Sequence, residues 1–179
     1  MKKFNFLLFI LIVCVNINFI NSQRRSKAKK LNPKEIDLGA FVNASDGTIV
    51  RIHNVAFQFP NPDVTPAASQ TDWTRVALST QSGSTVADMA DKSYIAGAIC
   101  LYSSGDGANE YTTITDRVDA SPDIFTNGYL VAVDSLYLQV QNTNSGTALI
   151  AATDVSCLIE MSVEKMTKGS AMALALSQQ

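Results

Sequence analysis

The sequence predicts an all-β protein, an antiparallel sandwich with one short helix at its C-terminal end, and three observations predict it. From Gly47 onward the apolar residues fall in short runs rich in Val, Ile, Thr and Tyr, spaced 8–15 residues apart. The intervals are polar turns built from Gly, Asn and Ser, such as Ser103–Asn109 (SSGDGAN) and Asn142–Gly146 (NTNSG). No interval holds a helix long enough to carry a parallel crossover, which sets an α/β fold aside in favour of a sandwich or jelly roll of about eight strands.

Taken in order, Thr48–Phe59 (TIVRIHNVAFQF) alternates, with Ile49, Arg51, His53, Val55 and Phe57 on one side and Val50, Ile52 and Phe59 near the other. The mixed pattern suggests a bulge at His53-Asn54. Pro60–Pro66 holds three of the five prolines and reads as a loop. Trp73–Thr80 and Tyr94–Tyr102 are strands, separated by a polar turn with one helical turn over Val86–Lys92. The two-glycine turn Ser103–Asn109 joins Cys100–Tyr102 to Tyr111–Thr115 as a hairpin. Tyr129–Val133, Leu136–Gln141, Thr147–Ala151 and the long Val155–Met166 complete the set. The segment KGSAMALALSQQ lacks β-branched residues and reads as a helix. The domain boundaries that follow are an apolar leader over residues 1–22, a basic arm and linker over 23–46, the sandwich over 47–167 and a helical tail over 168–179.

The leader differs in kind from the rest. Phe6–Val15 is ten apolar residues in a row behind Lys2 and Lys3, which matches the charged and apolar regions of a secretory signal peptide, with Ile20-Asn21-Ser22 as an exit. Ten residues fall short of the roughly 20 that span a bilayer. The five cations of Arg24–Lys30 that follow favour keeping the downstream side in the cytoplasm, as a signal-anchor would. A third reading takes residues 1–22, built mainly of Lys, Asn, Ile, Phe, Leu and Val, as sequence upstream of the true start. The charge is asymmetric as well. Seven of the 14 basic residues precede Leu31, so the body holds seven basic against all 16 acidic side chains, a charge of −9.

No stretch carries a catalytic motif, so no enzyme activity, metal or cofactor is expected. His53 is the single histidine and lies mid-strand, beside no G-x-S-x-G elbow. Cys14, Cys100 and Cys157 offer no zinc spacing. Cys100 and Cys157 each sit in an apolar strand, as buried thiols in a reducing compartment or as a disulfide in an oxidising one, with buried thiols preferred. Asp106, Asn109 and Glu110, or Asp116 and Asp119, supply oxygen ligands without the spacing of a calcium loop, and read as solvated turns. Asn43-Ala44-Ser45 fits the glycosylation acceptor pattern.

The basic run RRSKAKK (Arg24, Arg25, Lys27, Lys29, Lys30), an acidic all-β body and a short apolar terminal helix together resemble the layout of single jelly-roll capsid proteins of small viruses. That resemblance implies an eight-stranded sandwich, assembly into a shell with copies of itself, location in the virion, and nucleic acid as the partner of the basic arm. Independently of it, Met172, Leu174 and Leu176 are apolar side chains with a neighbouring copy as one natural cover, and are the expected assembly contact. A membrane is a partner only if the leader is retained. The alternative is a secreted carbohydrate- or surface-binding sandwich with a true signal peptide, a Cys100–Cys157 disulfide and Ca²⁺ at the acidic turns. A third reading is a pilin-like or surface-layer subunit anchored by residues 4–20.

Overall fold

The computed structural model describes residues 8–17, 33–59, 71–103, 113–120, 126–143 and 153–179. Among them are nine strands: β1 (Leu8–Ile17), β2 (Lys34–Asp37), β3 (Thr48–Gln58), β4 (Thr71–Ser79), β5 (Tyr94–Ser103), β6 (Thr113–Ala120), β7 (Tyr129–Val131), β8 (Ser135–Thr143) and β9 (Thr153–Lys165). A 3-10 turn at Ala44–Asp46 and one helix, α1 (Lys168–Ser177), complete the described elements. The strands form two sheets, in the orders β1-β9-β3-β7 and β2-β8-β4-β5-β6, and every pairing is antiparallel.

The pairings are nested. The first strand lies beside the ninth, the second beside the eighth, the third beside the seventh and the fourth beside the fifth. This is one long hairpin rolled over on itself, with successive nested pairs placed alternately in the two sheets, and that wrapping is a jelly roll. β6 is the addition, continuing the five-stranded sheet beyond β5. The antiparallel sandwich expected from the sequence is therefore present, and it extends further toward the N-terminus than residue 47.

Two elements make that extension. Lys34–Asp37 pairs with β8 and sends Ile36 into the core, followed by buried Leu38 and Val42. Four residues with three charges show no period, which hid this strand from the sequence. Leu8–Ile17, read as part of a leader, lies along β9 over ten consecutive register pairs. Val86–Lys92, expected to make a helical turn, instead makes two tight turns. The backbone bonds Asp91 N–H to Asp88 O (2.9 Å) and Tyr94 N–H to Asp91 O (3.0 Å), and the Asp88 carboxylate takes Ala90 N–H (2.9 Å). An aspartate that bonds the backbone two residues on favours a turn over a helix interior. Arg24–Lys30, Thr147–Ala151, Asp106, Asn109 and Glu110 lie outside the described residues.

The core fills the space between the sheets with Ile36, Leu38, Val50, Ile52, Val55, Val76, Leu78, Ile95, Leu136, Leu138, Val155, Ile159 and Met161, all buried. Each such side chain contributes about 1.5–3 kcal/mol on burial. β3 shows how sequence and sheet are reconciled. Its register against β9 shifts between Ile52 and Asn54, leaving His53 as the extra residue of a bulge. Before the bulge the even positions Val50 and Ile52 enter the core; after it the odd positions Val55, Phe57 and Phe59 do. The two faces assigned from uniform alternation are thus exchanged at His53, so that Val50, Ile52, Val55, Phe57 and Phe59 all meet one core while Ile49 packs on the opposite face.

Candidate functional site

The outer face of the four-stranded sheet carries the charged and polar cluster of the described residues. Ile49 and Arg51 of β3 face outward and stand opposite Glu164 and Ser162 of β9. The Arg51 guanidinium grips the Glu164 carboxylate in a forked pair, Nε to Oε1 at 2.6 Å and NH2 to Oε2 at 2.8 Å, and also donates to the Asn127 carbonyl. The hydrogen bonds and charge of Arg51 hold the Glu164 carboxyl below its usual range, against a smaller opposing effect of burial. Glu164 in turn raises the Arg51 guanidinium.

Beside this pair, His53 Nε2 lies 2.8 Å from Ser162 Oγ. The bulge brings the single histidine onto the outer face, and with it the serine–histidine contact that sequence spacing gave no reason to expect, since the two are 109 residues apart. A nucleophilic serine must be open to substrate and sit near free N–H donors. Ser162 is 0% exposed and lies in mid-strand, paired in register with Arg51. The contact therefore works as a satisfied polar bond under the arginine.

Below this cluster α1 docks. Ala171 is fully buried against Ile49 and Ala132, with Leu130, Met166, Leu174 and Ala175 around them. Thr167 caps the helix, its hydroxyl oxygen accepting the Ser170 N–H at 3.3 Å. Gln178 closes the other end. Its side-chain oxygen accepts the Ala132 N–H (2.9 Å), its amide nitrogen donates to the Leu130 carbonyl (2.7 Å), and its own carbonyl accepts the Thr80 hydroxyl (3.1 Å). At 4% exposure this glutamine supplies polar partners to the backbone of β7 and of the residue that follows it. Gly47 makes the other close approach. Its φ is +73°, and a Cβ there would stand 2.3 Å from the Met166 carbonyl oxygen.

The three residues expected to form an assembly contact separate here. Leu174 packs against its own domain, while Met172 and Leu176, one helical turn apart, are 53% and 72% exposed. Cys100 and Cys157 sit buried on strands of opposite sheets and are not joined by the disulfide named as an alternative. Burial pushes the Cys157 thiol up to about 12, so it is neutral and inert at ordinary pH. Asn43 is exposed, its side-chain amide donating to Asp46 and its oxygen accepting the Ser45 hydroxyl. At the end of the sandwich near Gln178 lies an open polar depression of about 350 Å³, lined by Thr80, Ser82, Asp134, Tyr137 and Gln179 among others.

Among the described residues no group of three or more His, Cys, Asp or Glu side chains is arranged to hold a metal ion, and no helix is long and apolar enough to cross a membrane. The sequence matches no protein-family model and no curated protein.

Proposed function

We propose that this chain is a non-enzymatic structural subunit that assembles with copies of itself, of the jelly-roll capsid kind, with the virion as its place and Arg24–Lys30 as its nucleic-acid contact. The observation that carries the proposal is α1. Its inner side is fixed to the domain by Ala171, Leu174 and Gln178, so its orientation is rigid, and that rigid element holds Met172 and Leu176 out in water. Two large apolar side chains fixed in this way favour a partner surface over a fraying tail. The nested strand order supports the same reading, since it is the wrapping that the capsid resemblance implies. Along the sequence the basic run falls between β1 and β2.

Because α1 also covers its own domain, removing it would confound assembly with folding. The cleaner test is Met172→Lys with Leu176→Lys. Light scattering is expected to show large species for the native chain and none for the variant, with the two melting alike. A native chain that stays monomeric at high concentration across salt and pH overturns the assembly reading. Deleting Arg24–Lys30 should remove weak, salt-sensitive binding to nucleic acid, because the remaining body is acidic; equal binding without the run overturns that part.

The polar depression supports the second reading, a secreted carbohydrate-binding module. Tyr137 offers a ring face, and Asp134, Thr80 and Ser82 offer hydrogen-bonding groups. Millimolar titration with simple sugars, read by shifts at Tyr137 and its neighbours, tests it; no shift removes it.

A further inference from the structure

The two sheets have four edges, and their chemistry differs. β2 is four residues long and carries Lys34, Glu35 and Asp37. β7 is three residues long. β6 carries Asp116, Arg117 and Asp119 and has a register irregularity against β5 between Gly97 and Ala98. Short length, charge and bulges are the devices by which soluble proteins keep sheet edges from pairing with other chains. β1 has none of them. It is ten residues long, LFILIVCVNI, with no charge and no proline, and its register with β9 runs unbroken from Leu8↔Ser162 to Ile17↔Thr153. Among the described residues nothing pairs with its outer side.

We propose that the outer edge of β1 pairs with β1 of a second copy, antiparallel across a two-fold axis, joining two four-stranded sheets into one continuous sheet of eight. This deepens the assembly reading and rests on it, by naming one contact between copies. A free backbone edge specifies its occupant as a β-strand. The absence of charge specifies an uncharged one, and a second copy supplies it at equal concentration with the same run of Val, Ile and Leu. A two-fold seam sets the same strand against itself, so any charge in it would meet its own like; this strand has none to meet. The surface next to the seam is continuous with it. Ile12 stands opposite Leu158 of β9, which is 37% exposed, and Leu158 stands opposite exposed Ala56 of β3.

The test uses the full chain of 179 residues. Ile10→Lys with Ile12→Lys changes two positions that stand opposite Glu160 and Leu158, outside the row opposite the core residues Val155, Cys157, Ile159 and Met161. Sedimentation equilibrium should show the native chain moving from 19.3 kDa toward twice that mass or more with concentration. The double-lysine variant should associate about 100-fold or more weakly, with an unchanged melt, because four lysines meet at one seam. Hydrogen exchange on the native chain reads the same contact without any substitution. In an edge strand alternate amides point away from the neighbour, so every second amide of Leu8–Ile17 should become protected as concentration rises. If the double-lysine variant fails to fold, that protection decides. Concentration-independent exchange, or equal association of the lysine variant, overturns the seam; if Met172→Lys with Leu176→Lys then still abolishes association, the assembly reading stands without it. A native chain that is monomeric at every concentration overturns both.

Discussion

The chain carries two apolar segments of ten residues outside the strands that its own periodicity announces, β1 near one end and α1 near the other, and they are attached by different physics. β1 is held by backbone hydrogen bonds to β9, which any extended segment of suitable length and polarity can make. α1 is held by particular side chains: Ala171 in a small cluster, Thr167 at its start, Gln178 at its end. A strand attached through its backbone leaves a second backbone edge open, and so remains able to pair again. A helix satisfies its backbone internally, and can meet a neighbour only through the side chains it leaves out, here Met172 and Leu176.

The sharpest way to break this contrast is to remove β1. A chain lacking residues 1–22 uncovers one edge of β9, which carries four core residues, and should lose about 5 kcal/mol of a stability expected near 5–15 kcal/mol. That corresponds to a fall of about 10–20 °C in Tm, or to insolubility on expression. Unchanged melting would mean that the domain does not need this strand.

Next comes the attachment of α1. Gln178→Ala leaves the Ala132 N–H and the Leu130 carbonyl buried without partners, which should cost about 2–4 kcal/mol by denaturant titration. Gln178→Glu keeps the acceptor and loses the donor, and should recover part of that loss. If alanine costs nothing, the helix is held by Ala171 packing alone. Gly47→Ala, which drives a Cβ against the Met166 carbonyl at a positive φ, should cost about 1–3 kcal/mol through the turn that leads β9 toward the helix.

The smallest effects come from titration. The Glu164 carboxyl is lowered in the folded chain, so the Arg51–Glu164 pair contributes stability above the unfolded glutamate value near 4.3, and that contribution disappears as pH falls through the lower folded value. Glu164→Gln should flatten the acid limb of a Tm-against-pH curve below about pH 4.5 while lowering Tm at neutral pH. The Cys157 thiol shifts the other way. Its neutral form is favoured by burial up to about 12, so stability should fall as pH rises from the unfolded thiol value near 8.5 toward that point. In the native chain at pH 8 neither Cys100 nor Cys157 should react with iodoacetamide, and both should react in denaturant, as peptide mapping will show.

The difference between what was readable in the sequence and what was not follows the range of the interactions. β3, β5 and β9 declare themselves through β-branched runs and local alternation, and even the bulge at His53 shows as a break in that alternation. The separation of Met172 and Leu176 from Leu174 depends on which side of the helix the sheet takes, and a ten-residue segment with apolar positions at nearly every second residue does not choose. Gln178 and Ser162 gain their roles from partners 46 and 109 residues away, and nothing local marks them. β1 was hidden by its own strength as a signal. Nine apolar residues in ten, without alternation, read identically as the apolar region of a targeting peptide and as a strand.

The nested pairing has a consequence in time. The innermost pair, β4 with β5, closes within about thirty residues, whereas β1 must wait for β9, about 140 residues later in the chain. Synthesis at about 5–20 residues per second leaves this long, uncharged strand without its partner for roughly 7–30 seconds on every ribosome that makes it. During that interval it has the length and apolarity that targeting factors and chaperones bind, so its fate is a race between capture and the arrival of the last strand. Slowing translation late in the chain should tilt that race toward capture, and speeding it should deliver more of the product to the closed roll.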